Sequence, residues 1–167
     1  MEEEKRLHRC CFTGHRPEKM TVLENLRVKA LLKAEIKKAV RDGYVTFISG
    51  MARGIDMWAA EIVLAEKKNN PELHLICASP HKGFETRWDK TEKQRYNDIL
   101  AQADVVKYIS EASSWGCYQI RNEWMVDRSS RVIAAYNGSK GGTKNTIDYA
   151  ERSGVEVINI LRVKNTV

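Results

Sequence analysis

Two spacings of apolar residues alternate along the chain. Six short runs rich in Val, Ile, Phe and Tyr read as strands: 7–12 (LHRCCF), 44–49 (YVTFIS), 72–77 (ELHLIC), 104–109 (DVVKYI), 131–136 (RVIAAY) and 155–160 (VEVINI). Between them the spacing turns helical. Over 18–41, Leu23, Leu26, Ala30, Leu31 and Ala34 fall on one helical face, and Gly43 follows as a stop. Residues 54–68 (GIDMWAAEIVLAEKK) predict a second helix, 85–102 a third in pieces, and 117–129 and 143–153 the last two. Strands that alternate with helices predict an α/β domain: a mostly parallel sheet with helices on both faces. No internal repeat, low-complexity tract or linker interrupts the pattern, so residues 1–167 read as one domain.

Right-handed crossovers put every loop that leaves a strand's carboxyl end on one edge of such a sheet. Ligands bind on that edge, where the strand order reverses. The loops there are 13–17 (TGHRP), 49–54 (SGMARG), 78–83 (ASPHKG), 110–116 (SEASSWG) and 137–143 (NGSKGGT). In the first, Thr13 and Gly14 can bring backbone N–H groups close to a phosphate, and Arg16 can grip one with two hydrogen bonds. His15 and Arg16 are not needed to make a turn. The second loop has the layout strand, then Ser49, Gly50, Arg53, Gly54, then helix, which suits a phosphate. Asp56 falls in that helix's first turn, where it can cap amides or accept a ribose hydroxyl. It is neither a Walker A loop nor a G-x-G-x-x-G fingerprint. Trp58 reads as core. Trp88, Tyr96 and Trp115 are candidate platforms for a base, Trp115 foremost because its loop lies on the binding edge; packing is the commoner use of an aromatic. His81 follows Pro80 on the same edge and is a further ligand contact.

Composition narrows the classes. Hydrophobic content of 43% and charged content of 30% describe a globular chain, not a disordered one. No apolar run approaches a membrane span, and MEEEKR has no apolar stretch behind it, so a cytoplasmic protein without a secretory signal is expected. Cys10, Cys11 and Cys77 lie in predicted strands and read as small buried hydrophobes; Cys117 is the one expected to reach solvent. Neither a disulfide framework nor a metal site is expected. The net charge of +6 owes much to Arg27, Lys29, Lys33, Lys37, Lys38 and Arg41 on one helix, a pattern that reads first as a solvated face.

The stretch SGMARGIDMWAAEIVL resembles the S-G-x-A-x-G-x-D-x-x-A signature of the SLOG superfamily, which includes the DNA-processing protein DprA and the LOG phosphoribohydrolases. With FTGHRP near the start, Trp58, and QIRNEWMVDRSSRVIAAYNGSKGGT later on, the chain looks like the YpsA family over nearly its whole length. That resemblance implies a Rossmann-like three-layer fold and a pocket for a nucleotide-type ligand, such as an adenine nucleotide or ADP-ribose, with no required cofactor. It also implies a sensing or regulatory module whose partners include cell-division proteins, and it leaves a homo-oligomer open. In LOG enzymes an Arg on the helix before a P-G-G-x-G-T-x-x-E loop accompanies a Glu that works on the glycosidic bond. Here Arg121, followed by Asn122, sits on the matching helix, and Gly141, Gly142 and Thr143 match the phosphate cradle, but the Glu position is Thr146. Asp148 lies two residues on, about 200° around a helix. Arg121, Glu123 and Asp148 are therefore the catalytic candidates, none of them placed like the family's Glu. Three readings result: a nucleotide-sensing module without enzymatic activity, a LOG-like N-glycosidase, and a DprA-like DNA-binding protein; any binding to nucleic acid is expected to be weak and salt-sensitive, and tight single-strand binding would favour the third.

Overall fold

Successive residues of each strand face opposite helical layers, and that alternation builds the core. The computed structural model describes residues 1–161. Strands β1 (Arg9–Gly14), β2 (Thr46–Ser49), β3 (His74–His81), β4 (Val105–Ser110), β5 (Arg131–Ala135) and β6 (Glu156–Asn159) form one sheet in the order β4-β3-β2-β1-β5-β6. Every pairing is parallel. The helices are α1 (Glu2–Arg6), α2 (Val22–Arg41), α3 (Ile55–Lys67), α4 (Lys90–Gln102), α5 (Cys117–Asp127) and α6 (Gly142–Arg152). Cys10, Phe12, Phe47, Leu75, Cys77 and Ile133 turn toward α2, α3 and α4, where Leu32, Ile36, Trp58 and Tyr96 meet them. Cys11, Ile48, Ala78 and Val132 turn the other way, onto Met125 and Val126 of α5 and Ala150 of α6. This is the Rossmann-like three-layer sandwich, and its sheet is wholly parallel. From β1 the order runs outward through β2, β3 and β4, then restarts on the other side with β5 and β6, so the crevice of the switch point opens between the ends of β1 and β5.

Several boundaries move. The 78–83 stretch expected as a loop is strand as far as His81. Beyond Cys77, β3 has outrun β2 and pairs only with β4, so Pro80 sits on an open edge where its missing N–H costs nothing. The helix expected from residue 18 begins at Val22, after a separate 3₁₀ turn at Pro17–Lys19. Its start is fixed by a reciprocal cap, in which Thr21 accepts from the Glu24 N–H and Glu24 accepts from the Thr21 N–H. The third helix is regular only from Lys90, capped by Asp89, which accepts the Glu92 N–H at 2.9 Å. The charged start of the chain forms α1, tied down by Arg6 Nε donating to the Ser129 carbonyl at 3.1 Å. All four cysteines are buried, Cys117 included, because the first turn of α5 faces inward.

Candidate functional site

The end of β1 meets the start of α3 so closely that only glycine fits between them. A Cβ on Gly14 would lie 2.2 Å from Ile55 Cγ1 and 2.7 Å from Ile55 Cβ. Ile55 is itself buried, so it has nowhere to go. Gly14→Ala is expected to cost about 1–3 kcal/mol, the usual penalty of overpacking, measured by urea unfolding; an unchanged midpoint would show that the contact is slack.

The loop after β2 is folded around its own polar groups. Ser49 Oγ donates to the Asp56 carbonyl at 2.7 Å and accepts the Met51 N–H at 3.2 Å. Asp56 Oδ2 accepts the Ala52 N–H at 3.3 Å. The N-cap of α3 is Gly54, so Asp56 does not cap the helix; it reaches back to hold the loop. Gly50 is forced by what lies on it. A Cβ there would be 2.8 Å from Asp56 Oδ2 and 2.8 Å from the Arg121 guanidinium carbon. Arg121 comes from α5, buried, and donates through Nη1 to the Gly50 carbonyl and through Nε to Asn122 Oδ1 at 2.8 Å. An acid and a base thus flank one glycine in the floor of the crevice.

Burial dominates both of these charges. It raises the Asp56 carboxyl to about 6, against the pull of Arg121 and the Ala52 N–H. It lowers Arg121 below the usual guanidinium value, with Asp56 opposing. His15 is also buried, and burial, then Lys19, lowers its pKa. Its Nε2 accepts the Asn137 N–H at 3.2 Å, which places the neutral ring's proton on Nδ1 and ties the β1 loop to the β5 loop across the switch point.

Above this floor lies a cleft of about 300 Å³. It gathers Thr13, Gly14, His15, Arg16, Asp56, Arg121, Asn122, Gly142 and Thr143 from four separate segments of the chain. Gly141 caps α6 just behind Gly142 and Thr143, which open the helix at the rim. Sequence reasoning missed Phe12, Lys19, Ala52, Phe84 and Tyr118, which complete the wall. Lys19 closes the 3₁₀ turn that follows Arg16, and its Nζ reaches to 3.8 Å of where a Gly141 Cβ would stand, a position that no pattern in the sequence signals. Arg16, Lys19 and Arg121 converge there with the N-termini of α3 and α6, so the cleft offers cations and helix dipoles to an anion, with Asp56 the only acidic lining group among the described residues.

The other candidates go elsewhere. Ser49, Gly50 and Gly54 shape the floor without lining it. Arg53 pairs with Glu18 and lines a second cleft of about 500 Å³, which shares Arg16, Ala52, Phe84 and Tyr118 with the first. His81 and Trp88 line that second cleft too. Trp115 is wholly exposed and lines neither; the left-handed Gly116 turns the chain after it, and Tyr118 stands at the wall. Tyr96 is buried, bonded to Ser79 Oγ at 2.8 Å. Thr146 is buried and donates to the Gly142 carbonyl at 2.8 Å. Asp148 points outward to Lys144 at 2.9 Å, and Glu123 is half-buried outside both clefts.

A profile of the YspA SLOG family, YpsA, matches residues 10–160. The SPbeta prophage-derived protein YoqJ of Bacillus subtilis (strain 168) is 31% identical over 141 residues, covering 77% of this chain and 82% of its own. A UPF0398 protein of Halalkalibacterium halodurans is 29% identical over 118 residues, 70% of this chain and 62% of its own. The X-ray structure of DNA processing protein A from Streptococcus pneumoniae superposes with a TM-score of 0.68 at 19% identity, over 96% of this chain. This chain spans about half of that protein, 52%. DNA processing protein A from Helicobacter pylori, a structure described for its single-stranded DNA binding mode, gives 0.65 at 17% identity, over 98% of this chain and 69% of that one. At these identities the two structures speak for the fold.

Proposed function

This chain belongs to the YspA SLOG family, and from that premise we propose that it binds a nucleotide-type ligand in the switch-point cleft and serves as a sensing module rather than as a hydrolase. The observation that carries the reading is the convergence of Arg16, Lys19 and Arg121 with two helix N-termini around Asp56. Phosphate would meet the cations and the amides at Gly142 and Thr143. Asp56 is the acceptor for a pentose hydroxyl. The buried Thr146 supplies no carboxylate where the LOG enzymes keep theirs, and a hydroxyl already donated to a helix carbonyl is no base at neutral pH.

Adenosine monophosphate or ADP-ribose at a hundred times its dissociation constant stabilises the native state by about 2.7 kcal/mol, a rise of roughly 5–10 °C in Tm for a domain of this size. Arg16→Ala with Lys19→Ala, both on exposed side chains, is expected to remove most of that rise. In the same samples no free base is expected by chromatography. No shift with any nucleotide at millimolar concentration contradicts the binding reading. Base release that disappears in Asp148→Asn or Glu123→Gln makes the protein an N-glycosidase.

The DNA-binding reading draws on one observation, the exposed row of Arg27, Lys29, Lys33, Lys37, Lys38 and Arg41 on α2. Part of it is already engaged: Lys29 lies 4.6 Å from the Trp58 ring centroid and Lys37 pairs with Glu66 at 3.7 Å. Such a face offers only salt-sensitive phosphate contacts without sequence preference.

A further inference from the structure

The second cleft is larger than the first, and its chemistry is different. Its wall is a chain of rings. His81 and Phe84 lie 5.7 Å apart, Phe84 and Trp88 5.1 Å, and Phe84 and Tyr118 5.6 Å between centroids. Arg53 stands with its guanidinium carbon 6.0 Å from the Trp88 centroid, held from the rim by Glu18. Arg16, Arg53 and Arg87 all line the space, and among the described residues no lining residue is acidic. Rings and guanidinium planes with no carboxylate suit a flat, electron-rich ring attached to an anion. Arg16 and Tyr118 belong to both clefts, so a ligand can pass from one to the other without leaving protein contact.

We infer that the second cleft is the base-reading half of the ligand site, taking the nucleobase of a nucleoside phosphate whose phosphate and pentose occupy the first cleft. This rests on the nucleotide reading above and sharpens it. Inorganic phosphate or a sugar phosphate would fill only the polar half, whereas a nucleotide engages both. A base can lie against the edge-to-face pair of Phe84 and Trp88, with Arg87, exposed at the mouth, over its other side.

The test is calorimetric titration of the whole protein with ribose 5-phosphate, adenosine monophosphate and a thymidine decamer, with tryptophan emission followed in parallel. Adenosine monophosphate is expected to bind at least about tenfold tighter than ribose 5-phosphate, the worth of one base–aromatic stack, and to quench emission where the sugar phosphate does not. Trp88→Leu should lose the quench and the tenfold advantage while ribose 5-phosphate binds as before. Arg87→Ala, on an exposed side chain, should lose part of the advantage without disturbing the fold. Equal affinities of the two small ligands overturn the base subsite and leave the phosphate cleft standing. Equal weakening of both ligands in Trp88→Leu also overturns it. Failure of both small ligands to bind overturns the nucleotide reading itself. A decamer that binds tighter than the mononucleotide and is the only ligand sensitive to Trp88→Leu makes the cleft a strand-binding groove and overturns the small-molecule assignment.

Discussion

Arg121→Ala is expected to lower the free energy of unfolding by about 3–5 kcal/mol at neutral pH, the loss typical of removing one member of a buried charged pair. Arg121 is buried, donates to the Gly50 carbonyl and Asn122, and flanks Gly50 opposite Asp56. Its removal leaves a buried carboxylate without its nearest cation and a backbone carbonyl without its donor. The protein can escape only by protonating Asp56, so the loss should shrink as the pH falls. Urea unfolding followed by circular dichroism, in the wild-type and Asp56→Asn backgrounds, reads both features. A loss below about 1 kcal/mol, or an equal loss in the two backgrounds, would show that the pair is not coupled.

The second large effect is the pH dependence that Asp56 brings by itself. Its carboxyl rises from the ordinary 3.8 to about 6 because burial disfavours the charge. A carboxyl raised on folding holds its proton more tightly in the native state. Below about pH 4 both states are protonated and nothing is lost. Between there and about pH 6 the unfolded chain ionises first and stability falls; above about pH 6 the whole cost is present. Two units correspond to about 3 kcal/mol. His15 works in the opposite sense. Its lowered pKa adds stability above its unfolded value, and that contribution is lost as the pH falls. Comparing wild type with Asp56→Asn cancels the His15 share. The difference in unfolding free energy, wild type minus variant, is expected to drop by about 2.5 kcal/mol from pH 4 to pH 7, most of the full shift. A flat difference would place Asp56 in contact with water.

The strand and helix alternation made the sandwich legible, and the Gly-rich loops pointed to the edge where the cleft opens. Arg16, Gly142 and Thr143 stand out in sequence because a basic or Gly-Thr loop beside a helix start is a pattern that suits an anion, and all three line the cleft. Other roles depend on distances that no local pattern carries. Ser49 and Gly50 look like ligand contacts in sequence, yet Ser49 is spent on the Met51 and Asp56 backbone, and Gly50 is required by Asp56 and by Arg121, which arrives from α5 some seventy residues away. Trp115 and Tyr118 are three residues apart with a left-handed turn at Gly116 between them, and only Tyr118 reaches the wall. Phe84 and Trp88 lie in a segment with no regular periodicity, so their aromatic cluster appears only once β3 and α4 are placed. The 3₁₀ turn at Pro17–Lys19 shows the same limit in small: Lys19 joins Arg16 at the cleft only once that turn is placed.

The most direct test of the switch-point cleft as a nucleotide site is a titration of ¹⁵N-labelled protein with adenosine monophosphate, observed through its backbone amides. The account predicts shifts concentrated at residues 13–16, 50–56, 84–88, 118–122 and 141–143, the segments that meet around the two joined clefts. It is contradicted if the amides stay still at millimolar nucleotide, or if the shifts collect along the basic face of α2 instead.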